Sequence, residues 1–137
     1  MNEKKIKHLE MIQGVITRMA SNSFMLKGWA VTLVAAVFAL AAKDSKSLFF
    51  LIAYIPIIFF WGLDSYYFKL ERQYRNLFDD VRGKSESTVD FAMKILPKHK
   101  NEETSFISSV LSPTEIWFYF PCAIIVAVVL LLIHIVK

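Results

Sequence analysis

Three apolar stretches constrain this chain more than any other feature. They run from Phe24 to Ala42, from Leu48 to Phe68 and from Ile116 to Val136. A helix rises about 1.5 Å per residue, so about 20 apolar residues cross the roughly 30 Å of a bilayer's hydrocarbon. Each stretch is long enough, and the last holds no Asp, Glu, Lys or Arg. Hydrophobic residues make up 55% of the 137 residues, and the mean hydropathy is +0.44. The spans use up most of that apolar content, and the segments between them are too short to fold as separate domains. The expectation is an all-α integral membrane protein with three transmembrane helices. No cleavable signal peptide is expected, because the first apolar run starts beyond residue 20.

Basic residues set the expected orientation. Lys4, Lys5, Lys7 and Arg18 precede the first span, and Lys27 stands at its entrance. The connection Lys43-Asp44-Ser45-Lys46-Ser47 carries two, whereas the segment after the second span carries Lys69, Arg72, Arg75, Arg82, Lys84, Lys94, Lys98 and Lys100. The positive-inside rule places the N-terminus and the middle segment in the cytoplasm and the short turn outside. The expected location is the bacterial inner (plasma) membrane.

Folding the chain at Ser45 brings patterned residues into register. Trp29 then faces Trp61, Ile16 meets Tyr74, Ile12 meets Phe78 and Leu9 meets Val81. Ile6, Leu9, Ile12, Ile16 and Met19 recur at helical spacing, as do Leu70, Tyr74, Leu77 and Val81. The first two helices are therefore expected to form a long antiparallel hairpin over 1–84 that extends into the cytoplasm. A flat amphipathic N-terminal helix on the membrane surface is the alternative. Lys27 and Asp64 fall near equal depth in this register. Ionisable groups there are costly and usually find a partner or water. They read either as pore-lining groups, or as a snorkelling lysine and a solvated carboxylate, with a structural ion pair between them as one form of that second reading. Ala35, Ala39 and Ala42 form a small-residue stripe for close helix contact, within the hairpin or between subunits. Pro56 and Pro121 are expected to bend their helices mildly.

The middle segment, 85–112, reads as short helices and a loop. Gly83 is a helix stop, and Ser87 or Thr88 caps a short helix to Leu96. Residues 98–103 form a polar loop, and Thr104 to Leu111 form a short helix on the bilayer surface. Ser112-Pro113-Thr114-Glu115 carries an N-cap, a first-turn proline and a capping-box glutamate, which starts the third transmembrane helix over 113–137. Trp117 to Phe120 form an aromatic belt, and His134 reads as a polar terminus at the opposite interface.

Reactive chemistry is hard to find. His8, His99 and His134 are far apart, Cys122 has no second cysteine, and no phosphate loop or nucleophile elbow occurs. Glu71, Asp79 and Asp80 lie among arginines and read as solvated helix faces. No catalytic, metal or cofactor residues are assigned, and the chain is expected not to be an enzyme. The net charge of +4 suits anionic lipid headgroups. Nucleic acid is not an expected partner, because no compact basic surface with interleaved aromatics is present.

The helix before the first span, the turn KDSKS and the run WGLDSYYFKLERQYRNLF carry a resemblance. Over residues 4–84 the chain resembles the SLATT-type two-span modules of bacterial conflict systems. The resemblance implies a membrane effector of antiphage defence that assembles and makes the membrane permeable when triggered. The chain departs from that pattern in its third span and in lacking a sensor domain. The expected function is a small homo-oligomer that forms or gates a membrane pore, with a protein partner or trigger still to be identified. The alternative is a non-catalytic accessory or scaffold subunit of a larger membrane complex.

Overall fold

A computed structural model describes residues 3–44, 47–85, 88, 90–101 and 104–136. Among these residues the only regular structure is helical. Three segments are long and apolar enough to cross a membrane, Glu3–Lys43, Leu48–Gly83 and Pro113–Val136, and they are built on three long helices, α1 (Glu3–Asp44), α3 (Tyr54–Gly83) and α5 (Pro113–Val136). The short α2 (Ser47–Leu51) and α4 (Phe106–Val110) lie between them. Expected features that rest on Ser45, Lys46 or Ser87 fall outside the described residues.

Length separates the three long helices. The 42 residues of α1 extend about 63 Å, twice a hydrocarbon core, and the 30 residues of α3 about 45 Å. Both therefore project well past the membrane. The 24 residues of α5 extend about 36 Å, enough for one crossing. Its outer positions, including Ile124, Ile125, Val128, Leu131, Leu132 and Ile135, are all exposed. In water such a surface would aggregate, whereas in lipid it is ordinary.

Two proline expectations part ways. Pro121 lies inside α5 without interrupting it. Before Pro56 the chain breaks instead of bending: Ile52 and Ala53 form a turn, and Ile55 N–H bonds the Ile52 carbonyl at 3.0 Å. Proline has no N–H to offer the carbonyl four residues back, and its ring crowds that carbonyl, which here belongs to Ile52. Ala53, at the break, is fully buried.

Two clusters hold the long helices together. In the first, Leu9, Ile12 and Ile16 of α1 pack with Leu77 and Val81 of α3, with Tyr74 and Phe78 against them. In the second, Ala30 of α1, Ala53, Ile57 of α3, and Tyr119 and Val126 of α5 form the core, with Trp61 partly buried beside it. Trp29 is not its counterpart. It is 55% exposed, and Ala30 occupies the inward position. A side chain without bulk lets the helices approach where two tryptophans would hold them apart. Within one copy the alanine stripe takes no part in the helix contact. Ala35, Ala39 and Ala42 are exposed, while Ala30 and Ala41 are buried.

The expected helix ending at Leu96 does not form. Residues 90–96 are irregular, and Phe91 has φ +61°, which ends any helical run there. Met93 and Ile95, two residues apart, instead lean on the Leu9–Val81 cluster. Alternation of period two marks an extended strap, and Pro97–His99 closes it with a 3-10 turn. Lys5 fixes the end of α3 nearby, donating to the Arg82 carbonyl at 3.0 Å and the Lys84 carbonyl at 2.7 Å. A lysine at a helix C-terminus both satisfies orphan carbonyls and suits the dipole.

Candidate functional site, a buried charge cluster joining three helices

Lys27 and Asp64 meet. Lys27 Nζ lies 2.5 Å from Asp64 Oδ2, the carboxylate is fully buried and the lysine side chain 15% exposed. Neither the snorkelling lysine nor the solvated aspartate describes this geometry. The pair sits inside a larger cluster to which each long helix contributes.

From α1 come Ser23 and Lys27, four residues apart and so on one helical face. Ser23 Oγ donates to Asp64 Oδ1 in a short hydrogen bond. From α5 come Glu115 and Tyr119, also four apart. Tyr119 Oη donates to Asp64 Oδ2 at 2.9 Å. Lys27 Nζ donates to Ser23 Oγ at 2.9 Å and lies 3.3 Å from Glu115 Oε1. The ammonium thus has three acceptors for its three hydrogens, and both Asp64 oxygens are occupied. Trp61, one turn before Asp64 on α3, stacks on Tyr119 with ring centroids 5.9 Å apart and planes at 8°. Its indole N–H donates to the Val110 carbonyl at 3.2 Å, which ties the end of α4 to α3.

Charges of opposite sign in a dry setting attract strongly, yet stripping their water costs several kcal/mol per ion. Full hydrogen bonding offsets that cost, and here Asp64 has it. Glu115 does not: its Oε2 is buried without a partner, as is the hydroxyl of Ser65. Two carboxylates therefore share one ammonium, and one carboxylate oxygen stands unbonded.

The sequence pointed to Lys27 and Asp64 but missed Ser23, Glu115 and Tyr119. Glu115 is instructive. Ser112 caps α5, with Ile116 N–H on its carbonyl at 2.9 Å. The glutamate side chain leaves the capping box and turns to Lys27 across 3.3 Å. The available signal was the Glu115–Tyr119 spacing, which puts two polar groups on one face of an otherwise apolar helix.

A second polar assembly lies farther along α3. Asp80, about 18 Å beyond the end of the second apolar stretch at Phe68, lies 3.1 Å from Lys98 Nζ and 3.6 Å from Lys84 Nζ. His99 is buried, and its Nδ1 accepts from Leu96 N–H at 3.0 Å, so Nε2 carries the hydrogen directed at Asp80 Oδ2, 3.1 Å away. These bonds, His99 first and the lysines after it, hold Asp80 down at about 2 against the opposing effect of burial. Glu71, expected on a solvated face, is buried and bonded by Arg75 at 2.7 Å. His8 is buried too, lies 3.1 Å from the Ala92 carbonyl through Nε2 and has ring contact with Phe91 at 5.3 Å. Among the described residues no group of histidine, cysteine, aspartate and glutamate side chains is arranged to hold a metal ion. No protein-family model, curated protein or solved structure matches this chain.

Proposed function

We propose that this chain acts as a homo-oligomer in the bacterial plasma membrane and forms or gates an ion-conducting pore, as an effector of a defence response. In this reading α1 and α3 form a hairpin whose distal half, with residues 85–112, lies in the cytoplasm. The observation that carries it is the Ser23–Lys27–Asp64–Glu115–Tyr119 cluster. It ties all three long helices at the edge of their apolar stretches, and one ammonium and two carboxylates are held closed within one copy. Separation of α5 from the other two would expose these charges at membrane depth, where hydrated charges from several copies can line a pathway. Three spans are too few to enclose such a pathway in one copy. The hairpin's distal half would be the lever through which a trigger acts. No catalytic step is part of this function.

The test is membrane potential, followed with a voltage-sensitive dye in cells producing the protein from a tightly controlled promoter. Depolarisation before loss of viability is expected, and Asp64→Asn, which loosens the cluster, should hasten it. A steady potential with both chains would sink the pore reading. A second reading then gains, in which the chain is an accessory subunit of a larger membrane complex. The complete pairing of Asp64 within one copy favours it, since a closed cluster fastens helices without conducting. A co-purifying partner in fixed stoichiometry would establish that role.

A further inference from the structure

We propose that Glu115 of α5 is a reversible proton-binding site, loaded from water in a cavity between α1, α3 and the start of α5. The charge cluster brings together two carboxylates, Asp64 and Glu115, and one ammonium, Lys27. Both Asp64 oxygens accept hydrogen bonds, from Ser23, Lys27 and Tyr119. Glu115 is fully buried, its Oε1 accepts from Lys27, and its Oε2 has no partner. The surplus is one negative charge and one empty acceptor oxygen, in a setting where an uncompensated charge is costly. A single proton answers both.

The geometry selects a proton over a metal ion. Hard metal cations take about six oxygen ligands or more. Here one carboxylate oxygen is unoccupied, and Lys27 already stands beside that carboxylate at 3.3 Å. Protonation needs only Oε2. An O–H bond forms there with a proton from hydronium, which is left as water, and release returns the proton to water. A carboxylate offers about four lone-pair sites, of which Asp64 uses three, so the pair that shares Lys27 has one acceptor left for the new O–H.

A cavity of about 330 Å³ gives access, its lining including Ser23, Lys27, Glu71, Thr114, Phe24 and Phe68. It is polar and roomy enough for water. Ser23 and Lys27, which it reaches, bond the carboxylates, and 15% of the Lys27 side chain is uncovered. The remaining charged group of the lining, Glu71, is bonded by Arg75 at 2.7 Å and leaves the balance unchanged. The Tyr119 hydroxyl is turned to Asp64, and α4 brings no titratable side chain. As regulation of the closed cluster the inference rests on the pore reading. A proton on Glu115 favours the closed arrangement, because a ligand that binds one state shifts the equilibrium towards it, and its loss favours separation of α5. The site itself stands apart from that reading.

Infrared spectroscopy of the full chain in mild detergent tests the site. At neutral pH one carboxylic-acid C=O band is expected, shifted by isotope-labelled glutamate, unmoved by labelled aspartate and absent from Glu115→Gln. The labelled parent answers even where the variant misfolds. The folded chain then holds a proton that the unfolded chain releases. Above the ordinary glutamate range the parent's unfolding constant should therefore rise with pH, by up to about tenfold per unit more than that of Glu115→Gln. Absence of the band at neutral pH, a band that follows labelled aspartate, or the same pH dependence in both chains would overturn the proposal. None of these measurements reads membrane potential, so a steady potential in cells would remove the pore reading and leave the proton site standing.

Discussion

The distal cluster of α1 and α3 and the central charge cluster fasten the same helices by opposite means. At Leu9, Ile12, Ile16, Leu77 and Val81 the contact is apolar. Each truncation there costs in proportion to the area and cavity it leaves. At Ser23, Lys27, Asp64, Glu115 and Tyr119 the contact is ionic and desolvated. Loss of one partner there strands the others, so the cost depends on which partner goes and in what combination. The apolar cluster gives graded adhesion, while the charged cluster is closer to all-or-none. A latch is better built from the second kind.

The largest effect should come from Lys27→Met. Two carboxylates then lie buried beside no cation, and helix association in detergent should weaken by about 3–5 kcal/mol. Adding Asp64→Asn should recover much of that loss. If the double variant's unfolding free energy is the plain sum of the singles, the two groups are not coupled and the comparison collapses. Next, Ile12→Ala should cost about 2–4 kcal/mol, and a second truncation at Val81 should worsen it rather than rescue it. The same unfolding measurement reads both clusters, so the contrast in rescue is direct.

Glu115→Gln sharpens the charged side. It removes surplus negative charge while keeping an oxygen for Lys27, so stability should stay within about 1 kcal/mol of the parent. A loss as large as that of Lys27→Met would show that the Glu115 charge itself holds α5. Smaller still, Asp80→Asn should release the strap, raising amide exchange at Leu96 and trypsin cleavage at Lys94 and Lys98, for about 0.5–1 kcal/mol. The pH dependence has a definite sign. Asp80 is held below the ordinary carboxylate value, so its contribution is complete above about pH 4 and fades as pH falls toward 2. Strap protection that stayed level across that window would remove Asp80 from the account. At the bottom of the scale, Trp29→Phe should change stability by about 0.5 kcal/mol or less. Trp61→Phe should cost about 1 kcal/mol through its lost hydrogen bond to Val110.

The apolar stretches and the helical spacing of Leu9, Ile12 and Ile16 could be read from the chain because each reports a local property, length or periodicity. The strap could not. Thr88 to Leu96 lacks proline and glycine and reads as a helix, but Met93 and Ile95 gain more by covering the Leu9–Val81 cluster in extended form. Trp29 failed for a related reason. Folding the chain at one point fixes depth along two helices but not rotation about their axes, and rotation decided that Ala30 faces inward. Glu115 was legible as a capping residue, and only the packing of α5 against α1 turned it toward Lys27.

What the sequence by itself determined is therefore the count, length and lipid-facing character of the spans, since hydrophobic thickness is a one-dimensional constraint. It also placed Lys27 and Asp64 at similar depth. What only the tertiary structure decided is that Ser23, Glu115 and Tyr119 join them, and that Glu115 Oε2 is left buried and unpartnered. Those facts depend on the relative rotation of three helices. That rotation is set by close packing at Ala30, Ala53 and Ile57, which no local pattern along the chain encodes.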